Sequence, residues 1–159
     1  MCVVVLLSSF LGKTAFAADS VYIEELTTSE IRKKIDVGTT IAIIPTGGSE
    51  QNGSHMVIGK HNIIVHYTAG EVAKNLGNAL VAPVIAYVPE GNMEPPEGHM
   101  QFAGTISLRE ETYLALLEDT ATSLKQHGFK IICFIGDSGG NQKPQEILEE
   151  KLNKQWKKS

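Results

Sequence analysis

Apolar residues fall into three short runs, separated by polar stretches whose own apolar residues recur at helical spacing. Ile41-Ala42-Ile43-Ile44-Pro45 reads as a buried strand over 40–44, bounded by turn residues. Residues 79–88 are almost wholly apolar, the pattern of a central parallel strand, with Pro83 marking a bend. Residues 130–135 form the third run. Between them, Thr27-Thr28-Ser29-Glu30 is a capping box that opens a helix over 29–36, stopped near Gly38. From Asn62 onward, Ile63, Tyr67, Gly70 and Ala73 share one face of a helix that ends near Gly77. Ser107-Leu108-Arg109-Glu110 is a second capping box, followed by a stripe of Tyr113, Leu114, Leu117, Ala121 and Leu124 that ends at His127-Gly128. Pro144 suits the first turn of a last helix, with Leu148, Leu152 and Trp156 at i, i+4 and i+8. Strand–loop–helix units in series predict an α/β fold, a parallel-sheet three-layer sandwich whose strand-end loops share one edge.

Length and charge narrow the picture. The 159 residues suffice for one domain with a real core. The net charge is −4, with cations scattered except at the lysine-rich C-terminus, which argues against nucleic acid as a partner. Val3 to Leu11 is an apolar run too short to span a bilayer, and Ala15-Phe16-Ala17 follows it as a small-x-small cleavage signature. The expectation is a signal peptide over 1–17, although no Lys or Arg precedes the run. An exported domain over 18–159 follows, periplasmic or secreted, with no membrane span in the mature chain. Cys133 would then be alone, a small core residue with no disulfide partner.

The candidate chemistry gathers in loops. Thr46-Gly47-Gly48-Ser49-Glu50-Gln51-Asn52-Gly53-Ser54-His55, running on to Gly59-Lys60-His61-Asn62, joins the first strand to its helix. It brings a carboxylate and two imidazoles to the carboxyl end of a parallel strand, where α/β sheets bind ligands. The loop over 89–105 is long for a compact domain and rich in Pro, Gly, Glu and Met, which marks it as functional. The turn Gly136-Asp137-Ser138-Gly139-Gly140-Asn141 closes the third strand.

These three segments resemble the creatininase (creatinine amidohydrolase) family. The first is similar to its Glu-Gln-His-Gly-x-His loop, Phe102-Ala103-Gly104-Thr105-Ile106-Ser107 to its Phe-Pro-Gly-Thr-Ile-Ser, and the third to its Asn-Gly-His-Gly-Gly-Asn. In that family a dinuclear divalent-metal centre activates a hydroxide that opens a ring amide. The resemblance implies Glu50 as a metal ligand and places His55 and His99 at family histidines. It also puts Asn52 and Ser138 where the family has ligating histidines, and His61 where it has a ligating aspartate. A rebuilt site is the expectation: Glu50, His61 and Asp137 hold zinc or manganese, and His55 and His99 act in catalysis or orientation. Asn52, Ser138 and Asn141 then contact a small-molecule substrate. The competing expectation is a binding or interaction protein that keeps the scaffold without the metal.

Other readings weigh less. Gly136-Asp137-Ser138-Gly139-Gly140 fits a serine-nucleophile elbow, but no Asp or His follows Ser138 to complete a triad. Glu90, Glu94 and Glu97 read as loop solubility, His66 as packed or solvated, His127 as a helix-dipole partner, and Asn141 also as a simple helix cap. The resemblance is to the N-terminal part of the family's fold. It therefore implies an incomplete sheet, a chain that associates as a homo-oligomer or with a partner, and little hydrolase activity in isolation.

Overall fold

The computed structural model describes residues 19–136 and 139–157. Four helices and three strands alternate: α1 (Thr28–Asp36), β1 (Ile41–Thr46), α2 (Lys60–Leu76), β2 (Ala79–Val81), α3 (Glu110–Gln126), β3 (Ile131–Gly136) and α4 (Gln142–Trp156). All strand pairs are parallel in the order β2-β1-β3, with Ile41 opposite both Ala79 and Ile131. The expected α/β sandwich is what forms. The proposed signal over 1–17 lies outside the described residues.

The layers follow from the two faces of β1. Ile43 packs with Ala69 and Ala73 of α2. Its neighbour Ile44 points the other way, into Tyr113, Leu117 and Ala121 of α3 and Leu148 and Leu152 of α4. Ala42 joins Leu80 and Phe129 below them, against Ile31 and Ile35 of α1. Each Ile or Leu removed from water here contributes about 1.5–3 kcal/mol. The α1 capping box is present: Thr27 Oγ1 accepts from Glu30 N, and Glu30 Oε2 accepts from Thr27 N at 2.7 Å. The α4 stripe is buried as its spacing predicts, with Lys125 Nζ 5.3 Å from the centre of the Trp156 ring.

Four expectations need correction. The run over 79–88 is an edge strand rather than the central one, and its regular ladder stops at Val81. Pro83 has no N–H to donate, so the chain resumes contact with β1 only at a single bridge between Ile85 and Thr46. On α2 the buried residues are His61, Val65, Ala69, Gly70 and Ala73, whereas Ile63 and Tyr67 are 65% and 67% exposed. This helix is apolar on several sides, and the small side chains win the sheet face because they allow closer approach. A Cβ on Gly70 would collide with the Tyr22 hydroxyl, and the Tyr22 ring stacks on His66 at 4.2 Å.

The second capping box does not form. Arg109 is the N-cap of α3 without a side-chain cap bond. The Ser107 hydroxyl accepts from Glu90 N at 2.9 Å and donates to Gly91 O at 2.8 Å, so it ties down the preceding loop instead. Cys133 is exposed rather than in the core, because among the described residues β3 has a neighbour on one side only. Among the described residues no helix is long and apolar enough to cross a membrane.

Candidate functional site

β1 ends at Thr46, paired across the ladder with Gly136 at the end of β3. From there the chain leaves β1 for α2 on one face and β3 for α4 on the other. The carboxyl ends of these two strands therefore flank a topological switch point, the place where open α/β sheets bind ligands.

Two glycines let the loops close over that point. A Cβ on Gly47 would collide with Asn62 Oδ1, and one on Gly48 with Glu90 Oε1. Without them, Gly48 N donates to Asn62 Oδ1 at 2.9 Å and pins the loop to the first turn of α2. Glu50 then enters the interior, 6% exposed. His61, from the first turn of α2, sets Nε2 2.7 Å from Glu50 Oε1. His99, from the short turn Gly98–Gln101, sets Nε2 3.3 Å from Glu50 Oε2. Each carboxylate oxygen thus faces an imidazole from a different segment. His99 Nδ1 lies 3.2 Å from Gln51 O, which fixes the ring with Nε2 toward Glu50.

A second carboxyl completes the cluster. Glu90 is 5% exposed, its N bonded to Ser107 Oγ and its O to His99 N at 3.0 Å. Burial, then the hydrogen bond with Glu50 and the Glu50 charge, push the Glu90 carboxyl up to about 9. Glu90 is therefore a neutral acid at pH 7. Burial alone would raise Glu50 too, but the bond from Glu90 and the two imidazoles outweigh it and hold Glu50 below the ordinary carboxylate range. The pair is one ionised and one protonated carboxyl in a shared buried site.

Beneath the site lies a polar relay. Gln145 of α4 donates to Thr46 Oγ1 at 2.9 Å and to Tyr113 OH at 2.7 Å. To one side, Lys60 Nζ donates to Asn52 Oδ1 at 2.6 Å, and Asn52 Nδ2 to Glu50 O at 3.1 Å.

Of the residues expected from sequence, Glu50, His61 and His99 come together. Asn52 is beside them through Glu50's backbone. His55 is exposed, its Nε2 3.3 Å from Ser54 Oγ, and it makes no described contact with the cluster. Asn141 is buried at the N-cap of α4, but its side chain forms no cap bond, and neither Oδ1 nor Nδ2 has a hydrogen-bond partner among the described residues. Asp137 and Ser138 lie outside the described residues. Glu90 was read as loop solubility and is instead a member of the site. The signal was available: it follows an apolar run directly, as Glu50 follows β1 closely.

Among the described residues no group of three or more His, Cys, Asp and Glu is already spaced to hold a metal. The donor chemistry nevertheless fits a divalent ion, since two imidazoles and a carboxylate are a set that zinc takes. Two ligands on one zinc stand roughly 3.3 Å apart, the spacing of His99 Nε2 and Glu50 Oε2. His61 and Glu50 are closer, so that pair must open by about half an ångström to admit an ion. Glu90 Oε1 adds a buried acceptor with no hydrogen-bond partner among the described residues.

Fold and site define an α/β protein with a carboxylate–imidazole centre at the switch point of its sheet. The family model for creatininase, described as creatinine amidohydrolase, matches residues 24–159, and the chain belongs to the creatininase family. It is 30% identical over 109 residues to creatinine amidohydrolase of Pseudomonas putida, covering 69% of this chain and 41% of that one. It is 29% identical over 106 residues to the mycofactocin precursor peptide peptidase of Mycolicibacterium smegmatis, covering 64% and 40%. A crystal structure of creatininase superposes with a TM-score of 0.73 at 25% identity, over 86% of this chain and 53% of that one. Similar solved creatininases include a manganese form and a zinc–zinc type. The chain thus spans 41% and 40% of the length of these two curated relatives.

Proposed function

We propose that this chain carries the metal-binding edge of a creatininase-family hydrolase that cleaves a small cyclic amide or a related C–N bond. The observation that supports it is the convergence of His61 and His99 on the two oxygens of buried Glu50. Glu50 and His61 hold a divalent ion, zinc or manganese, with Asp137 as the further ligand expected from sequence. When bound, such an ion polarises the amide carbonyl and supplies a water of lowered pKa.

The chain's own residues do the rest. Glu50, ionised at neutral pH, offers negative charge to the centre, and Gln51 O holds the His99 ring in position to exchange a proton at Nε2. Asn52, Ser138 and Asn141 are the proposed substrate contacts, and Asn141 brings a buried amide with no hydrogen-bond partner among the described residues. His55 completes the proposed catalytic set as an exposed group at the mouth of the loop. The proposal includes export after removal of residues 1–17 and self-association.

Hydrolysis of creatinine and related cyclic amides after loading with zinc or manganese tests this reading. Activity that Glu50→Gln and His61→Ala both remove supports it. Turnover unaffected by either variant contradicts it.

A metal-free member of the family is the second reading, and one observation favours it. The Lys60 ammonium rests on Asn52 Oδ1 at 2.6 Å, so this side of the loop already holds a fixed cation. Under that reading Glu50 and His61 form a structural ion pair, and chelator leaves the melting temperature unchanged.

A further inference from the structure

We infer that Glu90 is a ligand of the divalent ion alongside Glu50 and His61; this rests on the metal reading above. Glu90 is 5% exposed and packs its carboxyl against that of Glu50. Two carboxyls buried together need a positive species between them, either a proton or a cation. Among the described residues Glu90 Oε1 has no hydrogen-bond partner, an unusual state for a buried acceptor. A buried oxygen with a spare lone pair, on a carboxyl that meets the Glu50 carboxyl on which two imidazoles converge, is placed as a ligand is placed.

The surroundings point the same way. On the Asn52 side, Oδ1 is taken by Lys60 and Nδ2 by Glu50 O, and the ammonium there repels a second cation. The remaining donors come from the other side, where Ser107 Oγ and His99 N fix the Glu90 backbone at both its N–H and its carbonyl. Gly48 leaves open the space into which Oε1 projects, since a Cβ there would collide with it. A role in loop solubility does not account for a carboxyl buried to this degree.

Metal binding without substrate tests the inference on the whole chain. Apoprotein prepared with chelator is titrated with zinc and manganese by calorimetry, and with cobalt(II) by visible absorption. Wild type, Glu90→Gln and Glu94→Gln are compared, the last being an exposed control in the same loop. Loss of a ligand costs at least about tenfold in affinity, so Glu90→Gln should bind ten- to a hundredfold more weakly and shift the cobalt band. Glu94→Gln should match wild type. Glu90→Gln keeps a donor toward Glu50, as the neutral acid does. If it fails to give a cooperative melt, Glu90→Asp retains the carboxylate one methylene back and should show a weakened affinity and a shifted band. Binding that Glu50→Gln abolishes while the Glu90 variants stay within threefold of wild type overturns this inference and leaves the metal reading standing. No binding in wild type overturns both.

Discussion

β1 and β3 are both six-residue parallel strands, yet they behave differently. β1 has a neighbour on each side and a helix layer on each face, and its last five residues are all buried. Among the described residues β3 has one neighbour; Ile131 and Cys133 stay exposed, and Ile131 is 51% accessible. The loop after β1 follows the same logic, closing over a polar cluster that two glycines and two imidazoles hold in place. What the difference teaches is that the central strand supplies the rigid edge on which buried charge can be arranged. The outer strand supplies chain direction and a wall.

The largest expected effect breaks the comparison at its core. Ile44→Ala removes a fully buried side chain between β1, α3 and α4 and should cost about 2–5 kcal/mol in urea unfolding. Ile131→Ala, the corresponding truncation on β3, should cost under about 1 kcal/mol. Equal losses at the two positions would mean that β3 is covered in solution.

Gly47→Ala comes next. Its Cβ would stand 3.0 Å from the Asn62 Cα as well as colliding with Oδ1, so backbone must move. A loss of about 1–3 kcal/mol is expected, with weaker protection of the Gly48 amide in hydrogen exchange. Unchanged protection would show that the Asn62 tether is not what fixes the loop.

A smaller, pH-dependent effect isolates the buried acid pair. Burial beside Glu50 pushes the Glu90 carboxyl from its ordinary 4.5 up to about 9 in the folded state, so between these values the folded state keeps a proton that the unfolded state has lost. Stability therefore falls as pH rises through this window, by at most about 1.4 kcal/mol per unit. Glu90→Gln should flatten that slope. An identical slope in the variant would place the proton elsewhere.

These regions were not equally legible in the sequence. The three apolar runs, the α1 cap and the α4 stripe are local patterns, and local pattern is what periodicity reports. Which strand is central depends on long-range pairing, so residues 79–88 read as the centre when they lie at the edge. The α2 face was ambiguous because apolar residues surround that helix, and closeness of approach chose Ala69 and Ala73 over Ile63 and Tyr67. In the site, Glu50 and His61 stand out by chemistry in one loop. Glu90 shares with Glu50 a place just after an apolar run, but it is one of three glutamates in its loop, and the tertiary approach to Gly48 separates it from the exposed Glu94 and Glu97.

The smallest effect concerns the outer strand itself. Burial, together with the charge of Glu149, raises the Cys133 thiol above its usual value, yet the residue is exposed. It should react with a thiol reagent in the native state, slowly at neutral pH and faster above pH 9. Cys133→Ser should change stability by less than about 0.5 kcal/mol. Complete protection of the native thiol would again indicate a covered β3 edge.

The central claim is that the Glu50–His61 centre takes a divalent ion, and thermal melting against zinc concentration tests it most directly. A ion that binds only the folded state adds about 1.4 kcal/mol for each tenfold rise in its concentration above Kd. The melting temperature of the wild type should therefore climb steadily with zinc or manganese, and that of Glu50→Gln should not. A wild-type melting temperature that stays flat across the titration, or a climb that Glu50→Gln and His61→Ala both retain, would contradict the account.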